Sequence, residues 1–303
     1  MSLLSTLSRE LFDYEREETT GEIIFFKLFE LFVAYCTIQY AWAWGFYILR
    51  LSDVVLELGV AIYIDANLFF GNGLAMVVAG IITVCVLLGF FRISKWGYVI
   101  AMLLLHLQFA IRFTQGEIPH SSNVIGMTLM GLALGVFMFN DAKYRRRFTM
   151  GFTYFFVGLG YFMAAICKLI GTGIFWSNGK HLWIWIHEKA IDAFAYTGIL
   201  DYNILQEVSL SSAFFATTIL TIGLLSEFFA WAMWWRKFRT VIILAVLGLH
   251  MGIYLVMNIM FWQTFFELIL LAFPFAVWID KALDAYATSQ TKNRINQIGL
   301  RFA

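Results

Sequence analysis

The sequence predicts an all-α polytopic membrane protein of about eight transmembrane helices, joined on one side by interfacial amphipathic helices. Three observations predict it. Of 303 residues, 61% are hydrophobic and only 14% charged, with a mean hydropathy of +0.77; a soluble domain averages roughly 45–50% apolar and about 25% charged. Eight windows approach the roughly 20 apolar residues that a membrane crossing needs. Two prolines, 32 phenylalanines and a lack of alternating polar segments favour helices over a barrel.

The windows are about 25–49, 74–91, 97–113, 122–139, 151–171, 213–235, 240–260 and 263–280. Before them, residues 1–24 are polar and acidic, unlike a cleavable signal peptide. Residues 51–72 and 172–212 are too long for turns. In the second, "HLWIWIHEKAIDAF" puts His181, Glu188 and Asp192 on one helical face, with Trp185, Ile186 and Phe194 elsewhere, as in a helix lying on a membrane. "MFWQ" alone separates the last two windows, a tight turn whose Trp262 suits the interface. Residues 281–303 form a polar tail.

Charge predicts the orientation. Sixteen of the 21 lysines and arginines fall on the side that holds both ends of the chain, "FRISKW", "DAKYRRRF" and "WWRKFR". Four (Arg50, Arg112, Lys180, Lys189) fall on the other. Cytoplasmic loops carry the excess, so both termini are expected in the cytoplasm around a membrane domain at 25–280. The expected surroundings are a lipid bilayer, and a net charge of +1 gives no reason to expect nucleic acid.

The remaining cation, Lys168, ends the fifth window. At 1.5 Å per residue it lies roughly 27 Å beyond Met150, just inside the outer boundary of a core about 30 Å thick. His106 and His250 lie roughly 16 Å from the inner side, Glu227 roughly 13 Å, and Glu267 about one turn below the outer surface. Tyr254, Met257 and Asn258 follow His250 at i+4, i+7 and i+8, which makes one face of that helix polar. Ionisable groups in a bilayer are costly and gather around protein-lined cavities. These positions predict a polar pocket open to the outer side, built from Lys168, His250, Tyr254, Asn258, Glu267 and His106. Gly158, Gly160, Ala164 and Ala165 leave the fifth helix thin enough for close approach.

Each residue also has a purely structural reading. Lys168 can snorkel to the interface, the histidines can bond neighbouring helices, and Glu227 and Glu267 can sit in ion pairs. The Trp-rich run at 183–185 suits an interface anchor. A neutral Lys168 is a general base, whereas one beside a carboxylate such as Glu267 stays charged and binds anions. Two histidines at equal depth could ligate a haem, but without CxxCH or a second histidine pair no haem is expected. Cys36, Cys85 and Cys167 lie singly in apolar runs, so neither a thiol relay nor a metal site is expected.

"YFMAAICKL" (161–169), with Trp176, Gly179 and Leu182 after it, resembles the lysine signature of the vitamin K-dependent γ-glutamyl carboxylase family. "LLSEFFAWAMWWRKFRTVIILAVLGLHMGIYLVMNIMFWQTFFELILLAF" is similar to that family's later membrane segments, and the broader group is the HTTM domain family. The resemblance covers about residues 20–280. It implies that Lys168 is the base that deprotonates a reduced quinone of the vitamin K or menaquinone type, after which dioxygen generates the stronger base that takes a glutamyl proton. His250 corresponds to the histidine of the late helix, and Trp176 falls in the pocket.

Two departures stand against this. "IPHSSNVIGM" puts His120 before Asn123, not after it, and the family's large lumenal portion has no counterpart before Ala303. A carboxylase of this form would need a substrate-docking partner. The alternative is a non-enzymatic membrane partner that binds a secreted peptide in the same pocket during its maturation or export.

Overall fold

The computed structural model describes residues 3–51, 62–114 and 120–299; the side chains of 3, 120–123 and 289–299 lie outside the description. It is all-helical, with no strand among the described residues. The order is α1 (Leu3–Phe12), α2 (Thr20–Ile48), α3 (Leu74–Phe90), α4 (Gly97–Phe113), α5 (His120–Met138), α6 (Ala142–Thr172), α7 (Gly179–Thr197), α8 (Ile204–Ser211), α9 (Ala213–Phe228), α10 (Arg236–Met257), α11 (Trp262–Ala272) and α12 (Phe275–Gly299). Three helical stretches are long and apolar enough to cross a membrane: Ala142–Ser177, Ala213–Trp234 and Arg236–Met257. The helices at Leu74–Phe90, Gly97–Phe113, Val124–Met138 and Trp262–Ala272 are apolar but shorter.

Local chemistry sets the helix ends. Thr19 and Glu22 form a reciprocal capping box at the start of α2, each side chain accepting the other's N–H at 3.2 Å. Asp141 caps α6 by accepting from Lys143 and Tyr144, and Gly173 ends it at a φ of 65°. Asn258, at a φ of 53°, closes α10. The window at 263–280 is one apolar run in sequence but two helices in space. Pro274 has no N–H to continue the ladder, so the chain breaks at Phe273–Pro274 between α11 and α12.

Helices α2 to α5, α11 and part of α10 share the main core, centred on Phe29, Val33, Ile82, Tyr98, Leu105, Ile125, Leu129 and Leu268. Leu182, Ile186, Ala216, Leu220 and Val256 form a second cluster that joins α7 to α9 and α10. Many large apolar side chains point outward instead, among them Val77, Ile81 and Val84 on α3 and Val241 and Leu244 on α10. Water would not favour such a surface; lipid would.

One end of the bundle is bound by charge. Lys143 meets Glu17 at 3.0 Å, Arg146 meets Glu18, Arg147 meets Glu22 at 3.0 Å and Arg236 meets Asp13 at 2.5 Å. Glu30 takes Arg92 at 2.7 Å and Lys27 at 3.1 Å, and Asp280 accepts the Gly21 N–H at 2.7 Å. Burial pushes the Asp13 carboxyl up, but the Arg236 guanidinium bonded to it, with Arg16 and Arg147, outweighs that and holds it below the usual aspartate range. The N-terminal stretch is therefore more than a polar lead-in. α1 buries Leu11, and Phe12 stacks on Phe148 of α6.

The opposite end is capped by α7 and α8. Leu182, Ile186 and Ala190, one helical turn apart, form the buried stripe of α7. Of the predicted interfacial segment 51–72, residues 52–61 lie outside the described residues, and Ala66–Phe69 forms a short 3₁₀ turn.

Candidate functional site

A cavity of about 1060 Å³ lies between α5, α6, α9 and α10, under a roof made by Trp176, Leu182, Trp185 and Leu205. Small residues make the room. Added methyl groups at Gly160 on α6 and at Gly248 and Gly252 on α10 would meet nothing within 4 Å. Gly158 differs: an added Cβ there would lie 3.0 Å from the Ala230 carbonyl oxygen and 2.7 Å from Trp234 Nε1. Of the small residues expected to bring helices close, Gly158 does so, whereas Gly160 and Ala164 border the cavity.

Lys168 reaches this cavity from α6. A helical Cα–Cβ bond tilts toward the N-terminus, which directs the side chain back toward the body of the bundle. Its Nζ donates to both carboxylate oxygens of Glu227 on α9, each at 2.5 Å. The Trp176 ring lies 4.6 Å from the ammonium, within cation–π range. The Glu227 side chain is only 8% exposed and that of Lys168 28% exposed, so the pair sits at the cavity wall.

A second polar pair faces the same space. His250 of α10 is buried, and its Nε2 lies 2.5 Å from the hydroxyl of Tyr161, two helical turns before Lys168 on α6. Its ring packs edge-on against Tyr161 and Phe261, and its Nδ1 has no hydrogen-bond partner. Whichever group donates across the Nε2–hydroxyl contact, one N–H or O–H of a neutral pair remains unused. The cavity thus holds a carboxylate–amine pair and a phenol–imidazole pair within mostly apolar walls. Thr128, Thr153, Thr264 and Ser226 add hydroxyls.

The predicted site residues divide in two. Lys168, His250 and Trp176 line the cavity together. Tyr254, Asn258, Glu267 and His106 are not among its lining residues. Tyr254 and Asn258 are exposed on α10: each step of four residues turns the face by about 40°, which carries them from the cavity towards the outside. Glu267 is fully buried, takes the Thr128 hydroxyl at 2.6 Å and leaves Oε2 unbonded. His106 is exposed on α4, with Nδ1 3.0 Å from the Met102 carbonyl oxygen of its own helix. It does not share the cavity with His250. His120 and the Asn123 side chain lie outside the described side chains.

Glu227 and Tyr161 are the residues that sequence reasoning undervalued. Tyr161 stands inside the quoted motif, at i−7 from Lys168 and so on nearly the same face, a signal that could have found it. Glu227 had been placed in depth by its backbone, without the reach of the lysine side chain.

Helices α7 and α8 lie across one end of the cavity. Trp183 Nε1 donates to the Ser209 carbonyl at 2.7 Å, Gln206 to that of Val256 at 2.9 Å, and Asn203 to that of Leu255 at 2.7 Å. The Gly179 N–H donates to Thr217 at 2.9 Å. These bonds tie α7 and α8 to α9 and α10 across the top of the cavity. No protein-family model, no curated protein and no solved structure matches the chain.

Proposed function

We propose that the chain is an HTTM-type membrane enzyme, similar to vitamin K-dependent carboxylases, that crosses the bilayer about eight times and acts on a reduced quinone, with Lys168 as general base. The observation that carries this reading is the Lys168–Glu227 pair turned into a large, mostly apolar cavity. A volume of about 1060 Å³ lies just above the range of roughly 300–1,000 Å³ typical of ligand pockets, which leaves space for a ring and a long apolar tail. The donor set fits a quinone: Trp176 and Trp185 offer flat ring faces, while Tyr161 and His250 offer a hydrogen bond to a ring oxygen.

A bound reduced quinone would supply the electrons with which dioxygen is activated. The chain's own residues manage the proton. To act as base, Lys168 must present a free amine, and Glu227 is placed to take the ammonium proton across a 2.5 Å contact. The amine then accepts a proton from the bound hydroxyl. Trp176 and Trp185 flank this exchange on the roof side, and His250 and Tyr161 orient the ring. General-base catalysis typically contributes about 10²–10⁴-fold.

Purified protein and its Lys168→Ala variant, incubated aerobically with reduced menaquinone, test the reading by product analysis. A quinone epoxide formed by the wild type, and reduced at least about 100-fold in the variant, supports it. Equal product from both, or none from folded wild type shown to hold the quinone, rejects it in favour of the peptide-binding alternative.

A further inference from the structure

The cavity has walls that carry a charged pair and a roof at one end, so its route of access is a separate question. Three lining residues also belong to the outer surface of the bundle. On α9, Ile222 lines the cavity yet is 60% exposed, in the same outward stripe as Leu225 and Phe229. On α10, Gly248 lines the cavity and is exposed between Leu244, Met251 and Leu255. Ala245, one turn earlier, is likewise exposed and lining. Between these stripes the helices meet where an added Cβ on Gly223 would stand 3.0 Å from Leu249 Cδ1. Leu249 is a flexible side chain and can swing aside.

The depth of this gap selects what can use it. Counted from Arg236, which is bound to Asp13 at the charged end, Ala245 and Gly248 lie about 14 and 18 Å along α10. That is near the middle of an apolar slab about 30 Å thick. Neither a water-soluble molecule nor a charged headgroup reaches that depth cheaply. The lining agrees, because Lys168 and Glu227 are its charged residues and neutralise each other. A charged ligand would find no free counter-charge, whereas an uncharged oxygen head would lie beside the polar Tyr161–His250 pair, both of which line the cavity.

We infer that the cavity is loaded sideways from the bilayer, through a mouth between α9 and α10 gated by Leu249 over Gly223, by an uncharged single-chain lipid. The inference rests on the same cavity as the proposed function and extends it to access, but it does not need Lys168 to act as a base.

The test uses the full-length protein in liposomes with a diazirine-bearing hexadecanol, and photolabelled peptides are mapped by mass spectrometry over time. Peptides containing Trp176 and Leu182 should be labelled in the wild type. Gly248→Phe, which narrows the mouth where open space receives the ring, should slow that labelling at least tenfold and leave its plateau unchanged. Gly252→Phe, placed inside the cavity, should lower the plateau itself. Unfolding temperatures matching the wild type show that both variants are folded. Wild-type kinetics in Gly248→Phe would overturn the lateral mouth. Equal roof labelling by a diazirine phosphatidylcholine would overturn selection for an uncharged lipid. Loading without quinone oxidation in the wild type would reject the proposed chemistry while the mouth stands.

Discussion

At the residue scale, the central fact is that Lys168 is bound to a carboxylate within an apolar setting. Removing one partner of a buried ion pair costs about 3–5 kcal/mol, because the other charge is left uncompensated, whereas replacing both by apolar groups is often neutral. Lys168 is 28% exposed, so the lower part of that range applies. Glu227→Gln and Lys168→Met are each expected to destabilise the protein by about 3 kcal/mol. The double variant with Glu227→Leu should recover most of that loss. Denaturant unfolding in detergent measures all three. Single variants as stable as the wild type would mean that the pair bears no structural charge balance. Recovered stability without recovered quinone oxidation would separate the pair's catalytic role from its structural one. Lys168 and His250 were visible in the sequence because polar residues in apolar runs stand out, and Trp176 through the family resemblance. The sequence hid the pairing, because residues 59 positions apart meet through side-chain reach, which depth counted along a helix axis leaves out.

At the element scale, two glycines on one helix do opposite work. Gly158 lets α6 lie against the 3₁₀ turn Ala230–Trp234, whose Trp234 Nε1 donates to the Phe155 carbonyl at 3.1 Å. Gly160, two residues on, faces open cavity. Gly158→Ala forces a methyl against a backbone carbonyl and an indole, and overpacking of this kind costs about 1–3 kcal/mol. Gly160→Ala meets nothing and gains up to about 1 kcal/mol of helix propensity. Thermal unfolding of the two variants in one detergent should move in opposite directions, and a shared sign would contradict the packing described here. The sequence showed both glycines as helix-thinning residues. Which one is pressed and which is open depends on where α9 ends and the turn begins, a tertiary fact with no local signature. Pro274 is the contrary case: its break of the last apolar window is a local rule that a hydropathy window averages away.

At the scale of the whole molecule, the charge partition read from sequence has a spatial counterpart. The basic segments at 92–95, 143–147 and 236–239 lie at one end, joined by Glu10, Asp13, Glu17, Glu18, Glu22 and Glu30 of the N-terminal stretch and α2. The broken last window also spans a bilayer-like height. Gln263 meets Gln39 of α2 at 3.2 Å, and Asp280 meets Gly21 at 2.7 Å. Eighteen residues of α2 separate those two contacts, about 27 Å of helix, close to the thickness of an apolar core. A path of that height, broken at Pro274, brings the chain back to the end that holds the arginines. With the native cysteines replaced, Asn140→Cys in the loop between α5 and α6 should react with a membrane-impermeant maleimide only after cells are permeabilised. Asp201→Cys, between α7 and α8, should react in intact cells. Labelling of both from outside would place the two loops on one face and leave an odd number of crossings between them impossible. The reverse pattern would invert the molecule and turn the roofed end of the cavity toward the cytoplasm.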